Sequence, residues 1–275
     1  MTGRFSRGLA VIDGSLDVFR ANPRLAVLPL LSLLTIGSGF AVAAGIALHY
    51  GLLLSVFEND LVRYGAIFVG LAVSSSLGTF FNAAVVHCAT QYFDGENPSV
   101  RDGLGAAWDA RRAIAVWAVT AATLGTVFYV IDEKFGVFGS LARLVFDLAW
   151  ALLTFFVVPV IVLEDTADIR TILRESGTAF KDTWGESVTA SLGISFALIP
   201  VGAVGLLFLG SAYFTASGAE AWLLGSIGFV IIVASMVAAQ VLGMVARTAL
   251  YRYARAGTTA GPYDALDPAA VFPSK

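Results

Sequence analysis

The sequence predicts an all-α, polytopic membrane protein with about six transmembrane helices, and three observations carry that expectation. Hydrophobic residues fill 57% of the 275 positions and charged residues only 13%, where a soluble domain carries roughly 25% charged residues. The mean hydropathy is +0.81, more apolar surface than a water-soluble fold of this length can hide, so lipid has to be the solvent. Six apolar stretches lie near residues 25–49, 65–91, 113–131, 144–163, 188–213 and 221–246. Each has about the 20 residues that a helix needs to cross roughly 30 Å of hydrocarbon. None reads as the short alternating strands of a membrane β-barrel.

In chain order, the first element is a surface helix near residues 3–21. Phe5, Leu9, Ile12, Leu16 and Phe19 recur at three- and four-residue intervals, with Arg4, Arg7, Asp13, Asp17 and Arg20 on the other faces. A stripe of this kind belongs to a helix lying in the membrane interface, apolar face down and charges in water. The first span follows. Its apolar run is too long for the core of a cleaved signal peptide, and a charged, amphipathic segment precedes it.

After the second span a second surface helix is expected near 98–111, with Asn97 as N-cap and Pro98 at the first helical position. Its stripe is Val100, Leu104, Ala107 and Trp108. The third and fourth spans form a hairpin that leads to a third surface helix near 166–184. There Asp165 or Thr166 caps, and Ile169, Ile172, Leu173, Phe180 and Trp184 oppose Arg170, Arg174, Glu175, Lys181 and Asp182. The fifth and sixth spans complete a membrane domain over 1–255, followed by a polar tail, 256–275. Pro159 and Pro200 are expected to kink the fourth and fifth spans, because proline lacks the amide hydrogen and clashes with the carbonyl one turn back.

The segments Ser15-Leu-Asp-Val-Phe19-Arg20 and Ser176-Gly-Thr-Ala-Phe180-Lys181 share a small residue, an aromatic and a cation at equal spacing. A looser copy runs from Leu104 to Trp108. The chain therefore reads as three repeats of surface helix, span, span.

Charge sets the orientation. Fourteen of the seventeen lysines and arginines fall before span one, after spans two and four, or at and beyond the end of span six. Arg63, Lys134 and Arg143 alone fall on the other side. Under the positive-inside rule both termini are cytoplasmic. Tyr50, Tyr64, Tyr129, Tyr213 and Trp222 then sit at the outer interface, and Tyr92, Trp184, Tyr251 and Tyr253 at the inner one, as amphipathic rings prefer. Trp117 and Trp150 lie deeper and are read as packing residues. Three lysines against fourteen arginines, with a net charge of −3, suit a halophilic or high-GC prokaryotic source.

The fourth span and its exit, Thr154-Phe-Phe-Val-Val-Pro159-Val-Ile-Val-Leu-Glu164-Asp165, are followed by Ile172-Leu-Arg-Glu-Ser176 and by Trp184-Gly185. Together with the entrance from Ser15 to Pro29, which carries Pro23 and Pro29, they resemble a broad set of uncharacterised six-helix prokaryotic membrane proteins. That set is similar in pattern to the membrane domain of some glycerophosphodiester phosphodiesterases. The resemblance implies a multipass helical bundle and brings no established activity.

Catalytic signatures are missing: no H-E-x-x-H, no Walker A loop and no dinucleotide fingerprint. The two histidines, His49 and His87, are too few for a multi-histidine metal site, and the lone Cys88 forms neither a disulfide within the chain nor a thiolate cluster. His87 and Cys88 are adjacent, so on a helix they point about 100° apart, a poor arrangement for a base and its nucleophile. No cofactor or metal is expected.

Polar residues within spans are the remaining clue, since they are costly in lipid and face protein or water. Arg143 and Asp147 can pair at i, i+4, read as a structural clamp in preference to a solute contact. Asn82, His87 and Gln240 could line a polar seam, and Arg247 is expected to snorkel towards the inner headgroups. Small residues at Gly37–Ala41–Gly45, Gly70–Ser74–Gly78 and Ser235–Ala239–Gly243 are read as helix-packing seams. The favoured reading is a non-enzymatic protein of the cytoplasmic membrane that organises lipids or partner proteins through its surface helices. The alternatives are a transporter or channel for a small solute and, least favoured, an intramembrane enzyme. Expected partners are membrane lipids, a further copy of the chain or other membrane proteins, and not nucleic acid.

Overall fold

The computed structural model describes residues 13–214 and 218–256, and every regular element within them is a helix. Six segments are long and apolar enough to cross a membrane: Pro23–His49, Asp60–Phe93, Arg111–Phe135, Arg143–Leu163, Trp184–Phe214 and Ala219–Ala256. Each contains or nearly contains a predicted span. Their apolar side chains point outward as often as inward: Phe196, Leu206 and Leu207 are all more than 60% exposed. Helices that satisfy their own backbone and show lipid an apolar surface are what a bilayer requires. The chain is a multi-pass membrane protein.

Residues 13–21 form α1, the described part of the first predicted surface helix; Phe5, Leu9 and Ile12 lie outside the described residues. A 3-10 turn, Pro23–Ala26, leads into α2 (Val27–His49). Gly51, at φ +66°, then turns the chain into a short helix, α3 (Leu52–Glu58), that the sequence reading did not foresee. Glycine alone meets no Cβ penalty in that left-handed conformation. The N-cap of α4 (Asp60–Phe93) is Asn59, whose Oδ1 accepts from the amides of Leu61 and Val62 at 3.0 and 3.3 Å.

Next come α5 (Val100–Asp109) and α6 (Arg111–Leu153). On a straight helix Phe128 and Phe146 would stand about 27 Å apart, yet their rings stack with centroids 3.6 Å apart. Trp117 and Trp150 stack at 5.7 Å, and Arg143 reaches Asp132 at 3.1 Å. The chain therefore reverses within α6 between Asp132 and Arg143, making the predicted hairpin of spans three and four. The two tryptophans are packing residues, as expected.

Of the two prolines, one interrupts its span. The fourth span breaks at residues 154–156, between α6 and α7 (Val157–Leu163). Pro159 opposes the carbonyl four residues back, at Phe155, so the break lies where the clash falls. Pro200 sits within α9 (Trp184–Phe214), which stays continuous. The remaining helices are α8 (Ile169–Asp182) and α10 (Ala219–Ala256); beyond Ala256 the predicted tail lies outside the described residues.

Two caps differ from expectation. Ser99, not Asn97, caps α5: its hydroxyl accepts the Asp102 amide at 3.2 Å, and Pro98 precedes the cap. Asp168, not Asp165 or Thr166, caps α8, accepting the Thr171 amide at 3.0 Å and the Thr171 hydroxyl at 2.7 Å. Each site offered several cap-type residues in a row, and only one places its oxygen over the third amide of the helix.

The described chain gathers into two compact units. One comprises the described residues up to Pro29, Ala89–Asn97 and the chain from Thr183 onward; the other comprises Leu30–Cys88 and Pro98–Asp182. In the first unit α9 and α10 pack side by side along their length. A Cβ on Gly228 would stand 2.6 Å from the Gly205 carbonyl and 2.8 Å from the Leu209 amide, so glycine sets the interhelix distance. None of the three predicted small-residue seams makes such an approach: at Gly37, Gly45, Gly78 and Gly243 a Cβ would meet nothing within 4 Å. Spacing identifies a smooth helix face but not what lies against it.

The second unit holds α5 to α8, with α8 docked on α6 and α7. Among the aligned positions of the three helices, Val18, Ala107 and Ala179 are all buried, but the aromatic position differs: Phe180 is buried, Phe19 half-buried and Trp108 exposed.

Candidate functional site

In the second unit, α5 and α8 leave the membrane helices and return on their sides, and the local chemistry explains why each is fixed. Gly103 of α5 lies against α4: a Cβ there would stand 2.7 Å from Cys88 Sγ and 2.8 Å from the Ala84 carbonyl. Cys88 donates its thiol hydrogen to the Ser99 carbonyl at 3.4 Å. Cysteine and glycine thus form one joint that holds the start of α5 on the last turns of α4.

The joint at α8 uses a serine. The break at residues 154–156 removes the amide of Phe156 from its helical ladder, and Ser176 Oγ accepts that amide at 3.0 Å in the buried interior. Phe155 packs edge-on against Phe180, with centroids 5.5 Å apart. The buried face of α8 is Ile172, Ser176, Ala179 and Phe180, against α6 and α7. This corrects the expected stripe: Ile169 and Leu173 are only partly covered, and Trp184 starts α9 and is exposed. The apolar face of α8 is satisfied by protein. What it offers outward is its polar side.

That outward side is cationic. Arg101, Arg112, Arg170, Arg174 and Lys181 are exposed. Among the described residues, Arg101, Arg112, Arg170 and Lys181 make no ion pair, while Arg174 reaches Glu175 at 3.2 Å. Trp108 is 62% exposed, and the Arg111 guanidinium lies over its ring at 5.6 Å and donates to its carbonyl at 3.0 Å. A cleft of about 340 Å³ opens beside them, lined by Asp109, Arg111 and Arg112 on one side and by Asp165 and Thr166 on the other. The first turn of α6 borders it without any side-chain cap, so its free amides add positive potential. Asp168, at the start of α8, is held below the usual carboxylate range by the hydroxyl and amide of Thr171.

The cations at the start of α4 and around the chain reversal within α6 are engaged. Arg63 bridges Asp60 and Glu133, Lys134 reaches Asp60 at 3.2 Å, and Arg143 joins Asp132 and Asp147 at 3.1 and 3.4 Å. One end of the unit thus closes its charges on themselves, and the other leaves Arg101, Arg112, Arg170 and Lys181 without an ion pair among the described residues.

Among the predicted polar contacts, Arg143 and Asp147 do meet, in a half-exposed pair. Asn82 and His87 both lie on α4 and are partly buried, but five residues put them about 140° apart, so they share no face. Gln240 and Arg247 lie on α10, also partly buried, and seven residues bring them to within about 20° of one face. Residues not foreseen include Gly103, Ser176, Asp168 and Glu186. Glu186 is buried in the first turn of α9, where the helix dipole favours a carboxylate; its legible signal was Thr183-x-x-Glu186, the spacing of a capping box.

In comparisons with known proteins, residues 61–261 match the model of a family described as a family of unknown function (DUF6159). The matched region begins in the first turn of α4 and takes in α5, α8 and the last five spans. No curated protein and no solved structure matches the chain.

Proposed function

Since the chain belongs to the family of unknown function DUF6159, we propose a role from its own geometry: a non-enzymatic protein that organises lipids or partner proteins at the inner membrane surface. In this reading it sits in the cytoplasmic membrane of a prokaryote with both termini inside. The outward faces of α5 and α8 are its working surface. The observation that carries the reading is the contrast of charges within one unit. Among the described residues, Arg101, Arg112, Arg170 and Lys181 stand exposed with no carboxylate within ion-pair distance, Asp168 being near enough to Arg170 only to feel its charge, while Arg63, Lys134 and Arg143 are closed in ion pairs.

Exposed cations next to an exposed tryptophan suit a headgroup layer, because amphipathic rings prefer that depth and each basic residue near an anionic surface contributes about 1 kcal/mol of attraction. An acidic partner protein would be drawn by the same field. The half-exposed Arg143–Asp147 pair serves as a clamp in this reading, and the likeness to phosphodiesterase membrane domains brings no activity with it.

The test is native purification with bound lipids and proteins identified by mass spectrometry, from the parent chain and from an Arg112→Ala, Arg170→Ala, Lys181→Ala variant. Selective loss of anionic lipids or of one acidic partner supports the reading. An unchanged set overturns it.

A further inference from the structure

In the second unit, α2 and α4 are separated in the chain only by the short α3 yet come close at few points, unlike the tightly packed α9 and α10. Between them lies a groove of about 720 Å³, walled by α2 from Thr35 to Ala47 and by α4 from Val62 to Val73. Its depth comes from glycine. A Cβ on Gly39 or Gly65 would meet nothing within 4 Å, so these glycines leave space open, whereas Gly205 and Gly228 bring backbones together.

We propose that this groove holds an acyl chain of a membrane phospholipid. Its lining is mostly hydrocarbon, and the hydroxyl of Thr35 turns back to the carbonyls of Leu31 and Ser32 at 2.7 and 3.1 Å. At 1.5 Å per residue the walls run about 17 Å, close to the roughly 15 Å depth of one leaflet. Volume over length leaves an average cross-section of about 40 Å². That width suits acyl chains.

The mouth fits the rest of such a lipid. Two residues before Val62, Asp60 pairs with Lys134 at 3.2 Å, and both side chains are more than half exposed. Asp60, Glu133, Arg63 and Lys134 balance one another, so the mouth is a closed, neutral polar rim beside which a zwitterionic headgroup meets no unbalanced charge. This site uses none of the α5–α8 surface and stands or falls apart from the role proposed for it.

The experiment reconstitutes the full chain in vesicles of phosphatidylethanolamine and phosphatidylglycerol, with a trace of phosphatidylethanolamine bearing a photoactivatable diazirine on one acyl chain. After irradiation, peptide mapping should find label concentrated in residues 35–47 and 62–73, above that on the exposed α9 face at Leu206 and Leu207. Filling the groove with Gly39→Leu and Gly65→Leu should reduce that label severalfold while α9 labelling is unchanged. Gly45→Leu, also in open space but outside the groove, should change neither and controls for folding. Label no denser than on α9, or undiminished in the filled variant, overturns the proposal. So does a chain-to-chain crosslink through Ala43→Cys that excludes the lipid, because the occupant is then a second copy.

Discussion

The amide of Phe156 donates to the hydroxyl of Ser176, 3.0 Å away and buried. One hydrogen bond thereby links the proline-broken fourth span to the surface helix that follows it. Ser176→Ala removes the acceptor and leaves a buried amide unsatisfied, which costs about 1–3 kcal/mol. Denaturant unfolding in detergent should show that loss, and hydrogen exchange should rise first at Phe156. A neutral Ser176→Ala would mean that the amide finds another acceptor and that this bond does not hold α8.

Gly103 sets a sharper steric test. Even alanine there would place its Cβ 2.8 Å from the Ala84 carbonyl, and overpacking of this kind costs about 1–3 kcal/mol. Gly103→Leu should push α5 off α4 and uncover Cys88, now fully buried. Alkylation by N-ethylmaleimide should be slow in the parent chain and fast in the variant. Equal rates would show that α5 is not what shields the thiol.

At the α9–α10 contact, Gly228→Ala meets two backbone atoms of α9, at 2.6 and 2.8 Å, and neither can swing away as a side chain could. The expected loss is at the upper end of the overpacking range, about 3 kcal/mol. Gly243→Ala on the same helix faces open space and should be neutral or slightly stabilising, since alanine is the better helix former by about 1 kcal/mol. Thermal unfolding of the two variants side by side checks the contrast.

Arg143 joins two carboxylates, but the groups are roughly one-third to one-half exposed, so screening leaves each pair worth no more than about 1 kcal/mol. Arg143→Ala should lower stability by a small amount and leave lipid and partner association unaltered. Loss of solute flux in proteoliposomes, with stability retained, would instead return the pair to a transport role.

Asp168 predicts how α8 responds to acid. Its folded carboxyl ionises below the ordinary value because the Thr171 hydroxyl and amide bind the charged form. The stabilisation is complete above the unfolded value, near 3.9, and is lost as pH falls through the lower folded one. The protection of amides at the start of α8, taken relative to their intrinsic exchange rate at each pH, should therefore fall on acidification. Asp168→Asn, which still caps a helix but does not titrate, should remove that dependence.

The membrane class, six spans, the short helices ahead of the odd-numbered spans and the Arg143–Asp147 pair were legible because each is local. Apolar run length, one-sided periodicity and i, i+4 spacing act within a few turns of one helix. The choice among Asn97, Pro98 and Ser99 at the start of α5 was less legible, since neighbouring residues compete for one cap and a shift of one or two positions decides it. The charge count proposes the orientation but says nothing about which cations are neutralised. Arg63 meets Glu133 from 70 positions away, a partnership that no local pattern contains.

By itself the sequence determined that this chain lives in lipid, where it crosses, and that helices with one apolar face lie between the crossings. Only the tertiary structure decided what those faces touch. It set α8 on α6 and α7 through Ser176 and turned its cations outward. It also used similar glycines to join α9 to α10 and to hold α2 from α4. The physical reason is that a glycine or an apolar stripe specifies a surface, while the partner of that surface is chosen by the packing of segments distant in the chain.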